Sequence, residues 1–180
     1  MISEKWDEKV IELAKSLINC QSYSGHEDKA AEALKAYMKE TGVFDEIETD
    51  CYGNVIGHIK GKNPGSKVLF DGHIDTVPVG NLKDWKHDPF HAVVEEGKLY
   101  GRGTSDDKGP LVSSLFAMKY LADNQLIPKD TCLRMIVGTD EEESWQCIRY
   151  YLDHAEILPE MYMWQVLCMK NASKVLPREK

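Results

Sequence analysis

The sequence lacks a block of basic residues and any apolar stretch long enough to span a bilayer. Its 22 Lys and Arg residues are outnumbered by 30 Asp and Glu residues, which gives a formal net charge of −8. A protein that binds nucleic acid or an anionic membrane surface usually presents a cationic stripe, and a transmembrane helix needs about 20 apolar residues in succession. The composition therefore argues against a nucleic-acid partner and against a membrane partner.

Paired cysteines and the features of a secretory leader are also missing. The first residues, MISEKWDEKVIELAKSL, contain acids early and no long apolar core, unlike a signal peptide. The cysteines are odd in number, scattered, and without a CxxC pair: Cys20, Cys51, Cys132, Cys147 and Cys168. We therefore expect reduced thiols and a cytoplasmic location.

The chain contains no internal repeat and no low-complexity tract, and its 180 residues are enough for one domain with a core. Apolar residues spaced along 4–19 predict an amphipathic helix. The stretch SGHE, with Ser24 three residues before Glu27, is interpreted as a capping box. It predicts a second helix that runs to about Met38 and ends near Gly42.

The rest of the chain alternates predicted strands with predicted helices. Two strands are expected within 46–60 around CYGN, and the short apolar runs KVLF and TCLRMIV are typical of buried strands. KLY is read as a short strand, and helices are expected at about 108–122 and over SWQCIRYYLDH. This order predicts an α/β fold, a three-layer sandwich around a mixed, largely parallel sheet.

Three polar clusters follow predicted strands. DGHIDTVP follows KVLF, GRGTSDDKGP follows KLY, and GTDEEES follows RMIV. Ligands of α/β proteins collect at the carboxyl ends of the strands, so we expect the polar side chains to converge if the strands are neighbours. They are His73, Asp75, Asp106, Asp107, Asp140, Glu141 and Glu142. One histidine among several carboxylates suits zinc, cobalt or manganese, and a divalent cation makes crowded carboxylates tolerable.

Each cluster also has a purely structural explanation. His73 is readable as an ordinary polar residue at a strand end, and Asp106 and Asp107 as caps of the following helix. The four adjacent acids at 140–143 are readable as a solvated helix start. The functional interpretation is favoured because all three clusters occupy the same position in the predicted architecture.

In this order and spacing, the three motifs resemble those of the M20 family of metallopeptidases. SDDKGP and TDEEESWQCIRYYLDHAE are most similar to its dipeptidase branch, and the resemblance runs from about residue 5 to residue 160. It implies a zinc-exopeptidase-like catalytic domain. It further implies metal-dependent hydrolysis of the amide bond of dipeptides or N-acyl amino acids.

The same resemblance implies the metal ligands. His73 matches a ligand of one metal ion, Glu142 matches a ligand of a second, and Asp106 matches the carboxylate that bridges the two. Zn²⁺ is the expected cofactor, with Co²⁺ or Mn²⁺ as alternatives. Asp107 falls where many relatives carry an uncharged residue, so no ligand role is expected for it.

Two further residues receive catalytic roles from the resemblance. Asp75 matches the acid that orients the ligating histidine, which fixes the tautomer and the ring position. Glu141 matches the general base, which takes a proton from water and hands it to the leaving amine. Separate glutamates are required because binding a cation and moving a proton are incompatible tasks for one carboxylate.

The resemblance breaks off near Glu160. Residues 161–180 contain no Asp, and neither the expected acidic third ligand, nor the family's last histidine ligand, nor the lid domain is found. We therefore expect 1–160 to be the N-terminal part of a catalytic domain, and 161–180 to be a divergent tail. The tail is interpreted either as a C-terminal helix or as the product of a shifted reading frame.

Counting ligands leads to two functional expectations. The first is an active metallodipeptidase. The alternative is a truncated, catalytically inactive remnant that binds metal weakly or binds a partner. Because two protein ligands per metal are fewer than the three usual at a catalytic zinc, we expect at most one weakly bound ion. An uncovered apolar face would promote association.

Overall fold

The computed structural model of the protein describes residues 4–60, 66–155 and 159–164. Four helices and seven strands are found in this part of the chain, together with one short 3₁₀ turn at Leu82–Asp84. The helices are α1 (Glu4–Asn19), α2 (Asp28–Thr41), α3 (Lys108–Asp123) and α4 (Gln146–His154). The strands are β1 (Glu46–Thr49), β2 (Val55–Lys60), β3 (Ser66–His73), β4 (Val93–Glu95), β5 (Lys98–Tyr100), β6 (Thr131–Gly138) and β7 (Met161–Trp164). No helix among the described residues is both long enough and apolar enough to cross a membrane.

Five strands form one mixed sheet in the order β1-β2-β6-β3-β7. β2 is antiparallel to both β1 and β6, whereas β3 is parallel to both β6 and β7. The register of the central parallel pair places His73 opposite Gly138. Because β3 and β6 run in the same direction and end together, the residues that follow them emerge at the same edge of the sheet.

The sheet is covered by helices on both faces, which confirms the predicted three-layer α/β arrangement. Side chains of β6 alternate between the two faces. Leu133, Met135 and Val137 pack with the buried residues of α1, α2 and α3. On the other face Ile136 packs with Leu69 of β3 and Tyr151 of α4. The sheet is therefore buried on both sides at its centre, which explains the continuous apolar runs in β3 and β6.

The sequence analysis was wrong to treat KLY as a strand of the same sheet as KVLF and TCLRMIV. KLY does form a strand, but β5 pairs antiparallel with β4 in a separate two-stranded sheet. The GRGTSDDKGP cluster therefore does not follow a strand of the main sheet. It reaches the site through the turn before α3, where Gly103 has a φ of 85°. A Cβ at Gly103 would lie 3.0 Å from side-chain atoms of both Thr76 and Lys108, so glycine suits this turn.

The capping-box interpretation is also wrong. Helix α2 begins at Asp28, and no side chain caps its amino end. Ser24 and Glu27 instead bind groups that lie 51 and 113 residues away in the sequence. The predicted end of the helix is confirmed, since Gly42 is the C-cap residue with a left-handed φ of 66°.

Strand β7 was not anticipated from the sequence. Met161–Trp164 pair with Val68–Asp71 of β3 at the edge of the sheet, so these four residues are a strand and not the start of a helix. Both interpretations of the tail otherwise concern residues 165–180, which lie outside the described residues.

Candidate metal centre

His73 is the last residue of β3 and only 5% of its surface is exposed. Its ring lies between carboxylates on both sides. Nδ1 is 3.3 Å from Asp75 Oδ1, and Nε2 is 3.1 Å from Asp106 Oδ1 and 3.7 Å from Glu141 Oε2. The structure therefore brings together residues from all three polar clusters, as the sequence analysis expected.

Asp75 is fully buried and connects the first cluster to the third. Its Oδ2 accepts hydrogen bonds from Ser24 Oγ at 2.7 Å and from the Glu142 N–H at 3.0 Å. Its Oδ1 accepts from the Glu141 N–H at 3.1 Å. Burial by itself raises the pKa of Asp75, but the hydrogen bonds with His73, Ser24 and the Glu142 backbone outweigh it and lower that pKa. Asp75 is thus ionised and fixes both the imidazole ring and the turn that carries the glutamates.

The turn over residues 139–142 follows β6, and we call it the acid turn. Its four successive N–H groups each donate to a side-chain oxygen, at 3.4, 2.9, 3.1 and 3.0 Å in chain order. The acceptors are Asn54 for the first, Glu27 for the second and Asp75 for the last two. These bonds fix the backbone of the acid turn, and the Glu141 carboxylate lies 3.7 Å from His73 Nε2.

Three side chains of this cluster form a group able to hold a metal ion. His73, Asp106 and Glu142 each offer one ligand atom, and these atoms all lie within 4.8 Å of one another. An imidazole nitrogen with two carboxylate oxygens is a donor set that zinc, cobalt and manganese accept. The Asp106 side chain is 47% exposed, so the group opens to solvent. The residues present therefore fit a divalent cation.

The group contains more acidic side chains than basic ones, and the pKa values of its members reflect this excess of negative charge. Burial by itself lowers the pKa of His73, but its hydrogen bond to Asp75 and the negative charges of Glu141 and Asp107 raise that pKa to about 10. Burial also raises the pKa values of Glu141 and Glu142, and the neighbouring carboxylates raise them further. The carboxylates thus stabilise a positive charge at His73, and a divalent ion would satisfy the same demand.

Asp107 is close to the group but faces a different partner from Asp106. It is fully buried, and its Oδ2 accepts the backbone N–H of His73 at 3.2 Å. Burial raises the pKa of Asp107 to about 8, with repulsion from Asp106 and Asp71 acting against the attraction of His73. Asp107 therefore supports the backbone of His73.

Several residues that hold the site were missed by the sequence analysis as contributors to it. Ser24, Glu27 and Asn54 accept from or donate to the site over long sequence separations. Lys108 is 1% exposed, and its ammonium donates to the carbonyl oxygens of Leu17 and Cys20, so it ties the start of α3 to the end of α1. Of these residues, Ser24 and Glu27 were marked by a sequence motif, SGHE. The motif was interpreted as a local capping box, so their contacts with distant parts of the chain were missed.

Comparisons with known proteins show which family this chain is similar to. The family described as peptidase family M20/M25/M40 matches residues 69–174. The putative dipeptidase YtjP of Bacillus subtilis (strain 168) is 36% identical over 120 residues, which cover 67% of this chain and 25% of that protein. The Beta-Ala-Xaa dipeptidase of Lactobacillus delbrueckii subsp. lactis is 36% identical over 111 residues, which cover 61% of this chain and 23% of that protein.

A solved structure shows the same fold. The M20 family metallo-carboxypeptidase Sso-CP2 from Sulfolobus solfataricus superposes with a TM-score of 0.71 at 25% identity. The alignment covers 91% of this chain and 37% of Sso-CP2. The chain thus spans well under half the length of each of these three proteins.

Proposed function

The chain belongs to peptidase family M20/M25/M40, and from that premise we propose that it serves metal-dependent hydrolysis of the amide bond of dipeptides or N-acyl amino acids. The observation that carries the proposal is the meeting of His73, Asp106 and Glu142 beside Glu141. The two dipeptidases among the relatives support a small peptide as the substrate.

We assign His73, Asp106 and Glu142 as the ligands of a divalent ion, with Zn²⁺ first and Co²⁺ or Mn²⁺ as alternatives. A bound ion supplies Lewis acidity, which lowers the pKa of water towards about 7 and polarises a carbonyl group. If Asp106 bridges two ions, His73 completes one half-site and Glu142 the other. Among the described residues each half-site would then have two protein ligands, where a catalytic zinc usually has about three, so we expect at most one weakly bound ion.

Glu141 is assigned as the general base. Its side chain is 15% exposed, and its carboxylate lies 3.7 Å from His73 Nε2. A raised pKa makes a carboxylate a stronger base towards water, and burial with the nearby Glu142, Asp75 and Asp106 raises the pKa of Glu141 against the attraction of His73. Glu141 takes the proton of the attacking water and then donates it to the leaving amine. Asp75 Oδ1 accepts the backbone N–H of Glu141 and so holds the base in place.

The organisation and location of the protein follow the same proposal. Residues 1–160 form the N-terminal part of an M20 catalytic domain, and the following residues continue it, because the family match reaches residue 174 and β7 extends the sheet. We place the protein in the cytoplasm, which is supported by the free thiols of Cys20, Cys51, Cys132 and Cys147.

The test uses the purified chain, stripped of metal and titrated with Zn²⁺, Co²⁺ or Mn²⁺ in a calorimeter. Amine release from dipeptides, including β-alanyl dipeptides, is then measured against a matched Glu141→Gln variant. Turnover that depends on metal and is lost in the variant supports the hydrolase. An absence of binding with all three ions contradicts the metal assignment.

A second candidate function is metal binding without catalysis. It is favoured by the ligand count, because the described residues supply three ligand groups for what would be two ions. Stoichiometric binding of one ion, with peptide cleavage no faster than in the Glu141→Gln variant, identifies this function for the chain.

A further inference from the structure

Glu27 is a buried acid that the proposed mechanism does not use. Only 6% of its surface is exposed, although it lies in the loop directly before α2. Its Oε1 accepts the N–H of Gly25 and the N–H of Asp140, both at 2.9 Å. The side chain therefore connects the loop between α1 and α2 to the acid turn, across 113 residues of sequence.

The hydrogen bond between Glu27 and Asp140 matters because Asp140 lies where the chain turns after β6. β6 ends at Gly138, and the chain has to leave the sheet and turn within a few residues before α4 begins at Gln146. Asp140 has a φ of 61°, in the left-handed region that non-glycine residues rarely adopt. The next two residues are Glu141 and Glu142, so the orientation of the Asp140 peptide sets the direction in which both glutamate side chains leave the backbone.

The chemistry of the acceptor suits the task. Both N–H groups donate to the same oxygen, Glu27 Oε1, whose two lone pairs can accept both of them. Burial raises the pKa of Glu27 and the negative charge of Asp75 adds to that rise, against the lowering effect of the hydrogen bonds from the Gly25 and Asp140 N–H groups. Burying a second anion beside Asp75 disfavours folding, so the contact is better explained by the placement of the turn than by stabilisation of the fold.

We propose that Glu27 is a positioning residue of the metal centre, which holds the backbone of the acid turn and thereby aims Glu141 and Glu142. The proposal rests on the proposed function for the role of the two glutamates. It places Glu27 beside Asp75 and Asn54 as one of three acceptors that fix the four successive N–H groups of residues 139–142.

The test compares three substitutions of Glu27 with a matched control. Glu27→Ala removes the acceptor, Glu27→Asp withdraws it by one methylene, and Glu27→Gln retains an acceptor oxygen without the charge. Asp28→Ala is the control, because Asp28 is the exposed neighbouring acid. Amide hydrogen exchange is measured by NMR in the metal-free chain, and Co²⁺ binding is followed through its visible absorption spectrum.

We expect Glu27→Ala to accelerate exchange at the amides of residues 140–142 by about tenfold or more, because it leaves a buried N–H group without its acceptor. Co²⁺ affinity should fall about tenfold, the size of effect typical of groups that orient metal ligands, and the absorption band should change shape. Glu27→Asp should lie between Glu27→Ala and the unmodified chain, and it carries the test if the alanine variant does not fold. Glu27→Gln should restore both properties to within about threefold, and Asp28→Ala should leave both unchanged.

The outcomes separate this inference from the function on which it rests. Faster exchange spread evenly over the helices and the sheet, with an unchanged Co²⁺ spectrum, would overturn the inference and make Glu27 a stabiliser of the fold alone. So would unchanged protection of the Glu141 and Glu142 amides in Glu27→Ala. Failure of the unmodified chain to bind Co²⁺, Zn²⁺ and Mn²⁺ contradicts the proposed function, while the exchange data still decide whether Glu27 holds the turn.

Discussion

Metal binding by this chain should release close to one proton per ion at neutral pH. The reason is the environment of His73, whose imidazole lies between Asp75 and Asp106 and has a pKa raised to about 10 by its acidic surroundings. A ligating imidazole must be neutral at the nitrogen that binds the metal. At pH 7 the ion therefore has to displace a proton from nearly every molecule.

The size of the effect follows from the distance between the pKa and the working pH. About three pH units at roughly 1.4 kcal/mol each make a penalty of about 4 kcal/mol at pH 7. The apparent affinity should then rise about tenfold for each pH unit between 7 and 9. A histidine with an unperturbed pKa near 6.5 would instead give almost constant affinity over this range.

The assay is calorimetric titration of the metal-free chain with Zn²⁺ or Co²⁺ at pH 7.0, 7.5 and 8.0, each in buffers of different ionisation enthalpy. The dependence of the measured heat on the buffer gives the number of protons released. His73→Ala is the control, and its residual binding should release about one proton fewer. Affinity that is flat between pH 7 and 8, with no proton release, would refute the view that the carboxylates hold a proton on His73.

The metal-free protein should show the opposite dependence on pH. A histidine whose folded pKa is raised contributes stability that is fully present below its unfolded pKa of about 6.5. That contribution is lost as the pH rises through the folded value of about 10. Urea unfolding at pH 6.5 and pH 9.5 should therefore show a lower free energy of unfolding at the higher pH, and this difference should be smaller in His73→Ala.

Three further predictions concern single substitutions. Asp106→Ala should weaken the binding of a divalent ion about tenfold more than His73→Ala, because Asp106 serves either half-site. Calorimetry measures both affinities, and the reverse order would mean that Asp106 is not a shared ligand. Glu141→Gln should keep metal affinity within about threefold while any metal-dependent peptide turnover falls by about 10²-fold or more; a matching loss of affinity would make Glu141 a ligand. Gly57→Ala should lower the free energy of unfolding by about 1–3 kcal/mol, because a Cβ there would lie 2.8 Å from the ring of Phe44. Denaturant unfolding measures this change. An unchanged midpoint would mean that the neighbouring side chains move aside without cost.

The helices and central strands of the fold were predictable because their patterns are local. The apolar spacing within 4–19 and the uninterrupted runs in β3 and β6 follow from burial on one helix face or on both sheet faces. KLY was identified as a strand but placed in the wrong sheet, because a run of three residues does not determine the strand with which it pairs. β7 was missed for the same reason, because its pairing with β3 depends on a segment about ninety residues away.

The candidate site was likewise predictable only in part. The motifs supplied the chemical types of His73, Asp106 and Glu142, and the resemblance supplied their expected roles. The supporting contacts of Ser24 and Glu27 could not be predicted, because a serine followed by a glutamate three residues later describes a capping box equally well. Which description applies depends on whether Asp75 and Asp140 lie within reach of the two side chains.

The sequence by itself determined the family, the alternation of helices with strands, and the identity of the donor groups, since these depend on residue type and short-range order. Only the tertiary structure decided that ligand atoms of His73, Asp106 and Glu142 lie within 4.8 Å of one another, and that the acid turn is held by Glu27, Asp75 and Asn54. Metal binding and pKa depend on distances through space and on exclusion of water. Those quantities arise when β3 and β6 align in parallel and the helices cover them, which brings together side chains that the sequence separates by tens of residues.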